Sequence, residues 1–274
     1  MPGSNARALE KARTLPADAL VLDLEDAVAP ATKVEARARV MATVRAGGYG
    51  RREIVVRVNA LGTPWGRDDL AAAAEAGADA VLLPKVEAAE TVSAAIAAIG
   101  PGPAVWCMLE TPRGILSAAS IAAASPRVTA LVMGTSDLTT DLHARVTRER
   151  MPLLTSLQLC VLAARAAGIT ALDGVHLDLD DEAGFAAACR QAADFGFDGK
   201  TLIHPRQVAT ANEVFAPATR DVDWAQRVIA AHADAVARGR GVAVLDGRLI
   251  ENLHVDDARR VLALADAIAE RSTD

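Results

Sequence analysis

Residues 67–85 read RDDLAAAAEAGADAVLLPK, and this stretch contains the unit that repeats along the chain. Apolar residues recur at helical spacing over 67–76, Gly77 follows, and a short apolar run occupies 80–83. A glycine at this place is typical of the left-handed residue that ends a helix. The stretch therefore predicts a helix, a tight connection and a buried strand.

The same alternation continues in both directions. Apolar runs predict strands at 19–24, 54–58, 80–83, 104–109, 130–133, 170–172 and 201–203. Helical patterns lie between them at 33–46, 67–76, 88–99, 115–124, 153–167 and 182–195. Gly168 and Gly196 repeat the position of Gly77. Strands and helices in alternation indicate parallel βαβ units, and we predict a TIM (β/α)8 barrel.

Seven strands are one fewer than this barrel needs. We expect the first strand before residue 2, either very short or truncated, with PGSNARALEKA forming a turn and the first helix. An open doubly wound sheet is the alternative, but no glycine-rich phosphate fingerprint follows any strand. The tail predicts a helix at 222–238, a hairpin turning at Asp246-Gly247 and a last helix. We therefore predict a barrel domain at 1–220 and an extension at 221–274, which acts as a lid or packs on a neighbouring subunit.

Composition narrows the class of protein. Hydrophobic residues make up 51% of the chain and aromatic residues only 3%, which suits a large core of small aliphatic side chains. A net charge of −6 without a basic tract argues against nucleic-acid binding. Three widely spaced cysteines indicate buried thiols rather than disulfides. No apolar run is long enough for a membrane helix and the N-terminus is polar, so we expect a cytoplasmic protein.

Ionisable residues lie at or directly after the C-terminal end of each predicted strand. They are Asp23, Glu25, Asp26, Arg57, Lys85, Glu110, Asp137 and Asp173, and His204-Pro205 follows the last strand. Active sites of TIM barrels lie at the C-terminal ends of the strands, so we expect these side chains to converge. A single carboxylate at a strand end is as often structural as functional. A series of them favours an active site.

Glu110 and Asp137 are the candidate metal ligands. Two carboxylates completed by water and substrate oxygens suit Mg²⁺. The alternatives are an N-cap or first-turn acid for Glu110 and a helix cap for Asp137. The histidines lack the spacing of a transition-metal site.

The basic residues allow two interpretations each. Arg57 is a clamp for a substrate carboxylate or pairs with Glu25 or Asp26. Lys85 is a Schiff-base lysine or pairs with an acid of a neighbouring loop. Arg7 and Lys11 share a helix face, which either binds ligand phosphates or is simply solvated.

The motifs PGSNARALEKA, LVLDLEDAV, VVRVN, VLLPKVE, MLETPRG, VMGTSDL, DGV, FDGKTLIHPRQV and DGRLIE occur in this order. Together they resemble the citrate lyase β-subunit-like acyl-CoA lyases of the HpcH/HpaI aldolase superfamily, from residue 2 to about 265. The resemblance implies a TIM barrel with a C-terminal extension, assembled as a homotrimer or dimer of trimers.

The resemblance also implies roles for residues. It implies Mg²⁺ on Glu110 and Asp137, substrate carboxylate on Arg57, and the coenzyme A portion on Arg7 and Lys11. Asp173, His204 and Pro205 are further candidates for substrate or coenzyme A binding, and Asp23, Glu25 and Asp26 for supporting acids. The catalytic base is expected at Glu251, where several relatives carry an aspartate supplied by the neighbouring subunit.

The expected reaction is the reversible Mg²⁺-dependent carbon–carbon cleavage of a 3-hydroxyacyl-CoA into an acyl-CoA and a 2-oxo acid. Malyl-CoA, methylmalyl-CoA, citramalyl-CoA and citryl-CoA are the substrates that the resemblance implies. Three alternatives stay open: a malyl-CoA thioesterase, a CoA-free 2-oxo-acid aldolase, and a non-catalytic member of the family.

Overall fold

The computed structural model describes residues 1–271. The chain divides into two compact units, Met1–Ala211 and Asn212–Asp274, and each is described by itself.

The first unit contains a parallel sheet whose strands follow chain order. They are β1 Ala19–Asp23, β2 Glu53–Arg57, β3 Ala80–Leu83, β4 Ala104–Leu109, β5 Val128–Met133, β6 Thr170–Asp173 and β7 Gly199–Lys200. Each strand pairs with the next one along the chain. This sequential order is that of a TIM barrel, whereas a doubly wound sheet reverses direction at a switch point. The predicted barrel-like fold is confirmed, and the doubly wound alternative is wrong.

The prediction of a strand at 201–203 is wrong. The last strand is the dipeptide Gly199–Lys200, which pairs with Leu172 and Asp173 of β6. The Lys200 ammonium binds the Asp173 carboxylate at 2.6 Å, so a charged residue occupies a strand position that hydrophobicity could not reveal.

Residues 1–3 lie along the outer edge of β1. Pro2 forms a parallel bridge with Asp23, and the Gly3 amide donates to the Asp23 carbonyl at 2.8 Å. The Asp23 amide donates to the Met1 carbonyl at 2.8 Å. This is the edge at which the predicted first strand of the barrel would pair.

The helices agree closely with the predicted segments. Those of the described residues are α1 Ala6–Lys11, α2 Lys33–Ala46, α3 Gly66–Ala76, α4 Ala89–Ile99, α5 Pro112–Leu116, α6 Ala118–Ala122, α7 Thr135–Asp141, α8 Leu154–Ala167, α9 Glu182–Phe195, α10 Val208–Phe215, α11 Thr219–Ala237 and α12 Asn252–Arg271. Gly77, Gly168 and Gly196 have φ of 82°, 69° and 93°, as left-handed helix ends require. The single helix expected at 115–124 is instead two short helices that meet at Ser117.

The core of the sheet is built from alternate strand residues. It contains Val55, Ala80, Leu82, Trp106, Met108, Ala130 and Val132. Successive side chains of a strand point to opposite faces, so these residues share one face. The three cysteines are buried free thiols, as predicted.

The second unit contains α11, α12 and an antiparallel hairpin. The hairpin strands are β8 Ala243–Leu245 and β9 Arg248–Ile250. Asp246 and Gly247 have φ of 49° and 77°, the positive pair that a two-residue hairpin turn requires. The predicted hairpin and last helix are confirmed. Among the described residues, no helix combines the length and apolarity needed to cross a membrane.

Candidate active site

Three carboxylates converge on Lys85 at the C-terminal ends of the strands. The Lys85 amide donates to Glu110 Oε1 at 2.7 Å. Its ammonium lies 3.1 Å from Asp137 Oδ2 and 3.7 Å from Glu25 Oε1. Four strands therefore deliver charged groups to one place, as expected for this face of a barrel.

Glu110 follows β4 and is 3% exposed. A Cβ atom at Gly134 would lie 2.5 Å from Glu110 Oε2, so only glycine leaves room for this carboxylate. Burial raises the pKa of Glu110 to about 7; the Lys85 amide opposes this, and the charges of Asp137 and Glu25 add to it. Ionisation of Glu110 is costly because the group is buried beside two other acids, and a bound cation would stabilise the ionised form.

Neither Glu110 nor Asp137 caps a helix with its side chain. The N-cap of α5 is Thr111, whose hydroxyl accepts from the Gly114 amide at 3.0 Å. The N-terminus of α7 has no side-chain cap, and the Asp137 carboxylate faces Lys85 instead. Both acids are therefore available to the site.

Arg57 is held by two acids of the β1 loop. Its Nε and Nη2 atoms donate to Asp23 at 2.7 and 2.6 Å, and Nη1 lies 3.1 Å from Glu25 Oε2. Asp26 is further away, at 4.0 Å. Burial works to raise the pKa of Asp23, but the hydrogen bond and charge of Arg57 outweigh it and the pKa is lowered. The ion pair with Glu25 that the sequence offered as an alternative is present, and Asp23 is an additional and closer partner.

The surroundings of Lys85 favour its charged form. Burial works to lower the pKa of Lys85, but the hydrogen bond to Asp137 and the charges of Glu25 and Asp137 outweigh it and raise the pKa. A Schiff-base lysine needs the opposite shift, because only the neutral amine attacks a carbonyl. The contacts therefore match the ion-pair interpretation.

A buried polar network that sequence reasoning missed supports the loop carrying Glu25. The Lys33 ammonium donates to the carbonyls of Leu24 and Glu25 at 2.9 and 2.8 Å. Asn59 Nδ2 donates to the Leu24 carbonyl at 2.9 Å and to Asp69 at 2.6 Å. A signal existed in the sequence, since Lys33 is three and seven residues before Ala36 and Val40 and so shares the buried face of α2.

Asp173 belongs to a separate cluster. It is 0% exposed. Arg150 Nη1 donates to its two oxygens at 2.9 and 2.7 Å, and the Lys200 ammonium donates at 2.6 Å. We expected Asp173 to contact the substrate, but its carboxylate has no exposed surface. Its partners are those of a structural ion pair. No pattern in the sequence indicated that Arg150 is the partner of Asp173.

The other predicted residues make no described contact with the acids around Lys85. His204 caps the turn that begins at Pro205, where its Nδ1 accepts from the Arg206 amide at 3.1 Å. Arg7 and Lys11 are exposed on α1. Glu251, in the second unit, is exposed, and its amide donates to His254 Nδ1 at 3.0 Å. The roles assigned to these residues stay predictions.

The donor set suits a hard cation with few protein ligands. Within residues 1–271, no group of three or more His, Cys, Asp or Glu side chains has the arrangement of a metal site. Mg²⁺ needs only one or two carboxylates beside water and substrate oxygens. Glu110 and Asp137 provide these, and the room that Gly134 leaves for Glu110 fits that use.

A TIM-barrel-like fold with an acidic cluster at the C-terminal ends of the strands is typical of an enzyme domain. Residues 1–205 match the HpcH/HpaI aldolase/citrate lyase family, and the chain belongs to this family. The resemblance seen in the sequence motifs is confirmed.

Relatives of this chain carry more than one activity. It is 51% identical over 269 residues to a (3S)-malyl-CoA thioesterase of Cereibacter sphaeroides, covering 98% of this chain and 94% of that one. It is 38% identical over 276 residues to the citrate lyase subunit beta of Escherichia coli, covering 97% and 91%. A crystal structure of Mycobacterium tuberculosis CitE in complex with magnesium, acetoacetate and coenzyme A superimposes with a TM-score of 0.78, at 33% identity over 97% of this chain and 96% of that one.

Proposed function

We propose that this chain is a Mg²⁺-dependent enzyme that hydrolyses the thioester of (3S)-malyl-CoA or a closely related 3-hydroxyacyl-CoA. One observation carries the proposal. The carboxylates of Glu25 and Asp137 lie on the Lys85 ammonium and that of Glu110 accepts from the Lys85 amide, in a chain that is 51% identical to a (3S)-malyl-CoA thioesterase. The CitE complex with magnesium and coenzyme A supports the choice of metal and of thioester.

Glu110 and Asp137 are the proposed ligands of Mg²⁺. When bound, Mg²⁺ supplies Lewis-acid polarisation of a substrate oxygen. Arg57 uses three of its N–H groups on Asp23 and Glu25, which leaves one on each terminal nitrogen for the substrate carboxylate. Asp23 keeps that guanidinium charged and oriented.

The remaining roles follow the sequence resemblance. Arg7 and Lys11, exposed on α1, contact the phosphates of coenzyme A, with His204 and Pro205 as further binding residues. Glu251 carries the proton that must move between water and the leaving group. In hydrolysis, water oxygen bonds to the thioester carbon, the carbon–sulfur bond breaks, and the thiolate takes up a proton to give malate and coenzyme A. The proposal includes a homotrimer in the cytoplasm.

The test is incubation of the purified protein with (3S)-malyl-CoA and Mg²⁺. Free thiol is followed with a chromogenic disulfide reagent, and products are identified by mass spectrometry. We expect malate and free coenzyme A in equal amounts, and no turnover by Glu110→Gln. Intact (3S)-malyl-CoA after prolonged incubation with metal-loaded protein would overturn the proposal.

Carbon–carbon cleavage is the second candidate function. It is favoured by the citrate lyase subunits at 38% identity and by the superposition on CitE. Cleavage of malyl-CoA gives acetyl-CoA and glyoxylate without free thiol, so the same assay separates the two reactions. If acetyl-CoA and glyoxylate are the only products, the enzyme is a lyase and the proposed hydrolysis is overturned.

A further inference from the structure

Lys85 contacts both proposed metal ligands, Glu110 and Asp137, and also the neighbouring acid Glu25. Its amide binds Glu110, and its ammonium binds Asp137 and Glu25. No mechanistic step assigned above uses this ammonium. The ammonium lies 3.1 Å from Asp137, one of the two proposed ligands of the divalent cation.

The backbone conformation of Lys85 is one that favours glycine over lysine. Its φ is 49°, in the left-handed region that glycine adopts at no cost and other residues rarely adopt. The neighbours Pro84 and Val86 are buried, and the Val86 amide donates to the Met108 carbonyl at 3.2 Å, so the segment is fixed on both sides. This conformation aims the Lys85 amide at Glu110. Glycine would serve that purpose alone, and the presence of lysine in a strained conformation indicates a function for the ammonium.

The charges around Lys85 are unbalanced without it. Among residues 1–271, Arg57 is the other cation with a contact to one of these acids, Glu25, and it is already held by Asp23 as well. Asp137 has Lys85 as its described cationic partner. The Lys85 side chain is 44% exposed, so it can leave the acids for solvent without crossing packed core.

We propose that Lys85 is the resident counter-ion of the metal site, displaced when a divalent cation binds. In the metal-free protein the ammonium keeps Asp137 and Glu25 together. When the cation binds, the ammonium leaves and the Lys85 amide keeps Glu110 in place. This inference rests on the proposed function, since it takes Glu110 and Asp137 as the ligands.

Binding of Mn²⁺, measured by electron paramagnetic resonance at pH 8.5 and low salt, tests the competition. Lys85→Gly removes the ammonium, relieves the left-handed strain and keeps the amide. We expect it to bind Mn²⁺ roughly tenfold more tightly than wild type, because the competing charge is gone. Lys85→Arg retains a cation and should bind as wild type does. Arg113→Ala is the matched control, since it removes an exposed cation whose described partner is Glu87 rather than one of the three acids.

Lysine acetylation provides a readout independent of any variant. The lysines of the chain are Lys11, Lys33, Lys85 and Lys200. Lys11 is exposed and serves as the internal reference, whereas Lys33 and Lys200 have buried ammonium groups. Addition of Mg²⁺ should increase acetylation of Lys85 relative to Lys11, as measured by mass spectrometry.

The outcomes separate this inference from the proposed function. If wild type binds Mn²⁺ and Glu110→Gln does not, the metal site stands. Lys85→Gly binding no more tightly, with Lys85 acetylation unchanged by Mg²⁺, then overturns only the counter-ion role. If wild type binds no Mn²⁺, both the metal site and the counter-ion role are overturned.

Discussion

Asp23 and Arg57 are directly paired residues on neighbouring strands, and their side chains form a two-pronged ion pair. They are register partners at the ends of β1 and β2. Arg57 Nε and Nη2 donate to the two Asp23 oxygens at 2.7 and 2.6 Å. Both side chains are largely buried, at 8% and 17% exposure. The sheet itself therefore places a fixed, charged guanidinium beside the acids around Lys85.

Removal of Asp23 should destabilise the first unit. Asp23→Ala leaves Arg57 largely buried with only Glu25 close to it, and breaking a buried pair by removing one partner costs about 3–5 kcal/mol. We expect the free energy of unfolding in urea to fall by about this amount. Asp256→Ala is the control, because Asp256 and Arg259 are exposed and such pairs contribute about 1 kcal/mol or less. Equal losses in the two variants would contradict the importance of the buried pair.

Neutralisation of Glu110 should stabilise the metal-free protein at high pH. The pKa of Glu110 is about 7 in the folded chain against an ordinary 4.5, so the folded state holds this proton more tightly than the unfolded state. Stability therefore falls as pH rises from 4.5 to 7, and the full penalty, about 3 kcal/mol, is present above 7. With a chelator present, Glu110→Gln should gain about this much at pH 8 and nothing at pH 4.5.

Urea unfolding across this pH range measures the effect. Glu87→Gln is a matched control, since Glu87 is partly exposed beside Arg113. Its stability should follow the wild-type pH dependence. A Glu110→Gln curve that runs parallel to wild type would show that Glu110 titrates at its ordinary pKa.

The buried cluster at Asp173 should respond unequally to removal of its acid and of its lysine. Asp173→Ala leaves Arg150 and Lys200 without their acid and should cost about 3–5 kcal/mol. Burial lowers the pKa of Lys200 despite the charge of Asp173. Methionine is an uncharged replacement of similar length. Lys200→Met keeps the Arg150–Asp173 pair, so its loss should be clearly smaller. Thermal or urea unfolding that ranks the two variants in reverse would contradict this arrangement.

The cysteines should be unreactive in the folded protein. Burial raises the pKa of Cys107 and of Cys160 to about 12, and burial also raises the pKa of Cys189. At pH 8 almost no thiolate exists at the first two, and the thiolate is the reactive species. A thiol reagent should therefore label none of them in native protein and all of them in urea. Rapid labelling of native Cys107 would show that β4 opens on the time scale of the reaction.

Periodicity in the sequence predicted most of the elements because it reflects local burial. The helix predicted at 182–195 matches Glu182–Phe195, and the hairpin turn at Asp246-Gly247 is where the structure has it. The strand at 201–203 failed because β7 consists of a glycine and a lysine. That lysine is buried in an ion pair with Asp173, and a search for apolar runs cannot detect such a pair.

The sequence by itself determined the order of strands and helices, the acids and bases at the strand ends, and the family, because these depend on residue type and spacing along the chain. Only the tertiary structure decided which charges meet. It paired Arg57 with Asp23, enclosed Asp173 between Arg150 and Lys200, and aimed both the amide and the ammonium of Lys85 at the acids. The physical reason is that an ion pair depends on distances of a few ångströms between strands far apart in sequence, and these distances are set by sheet register and side-chain packing.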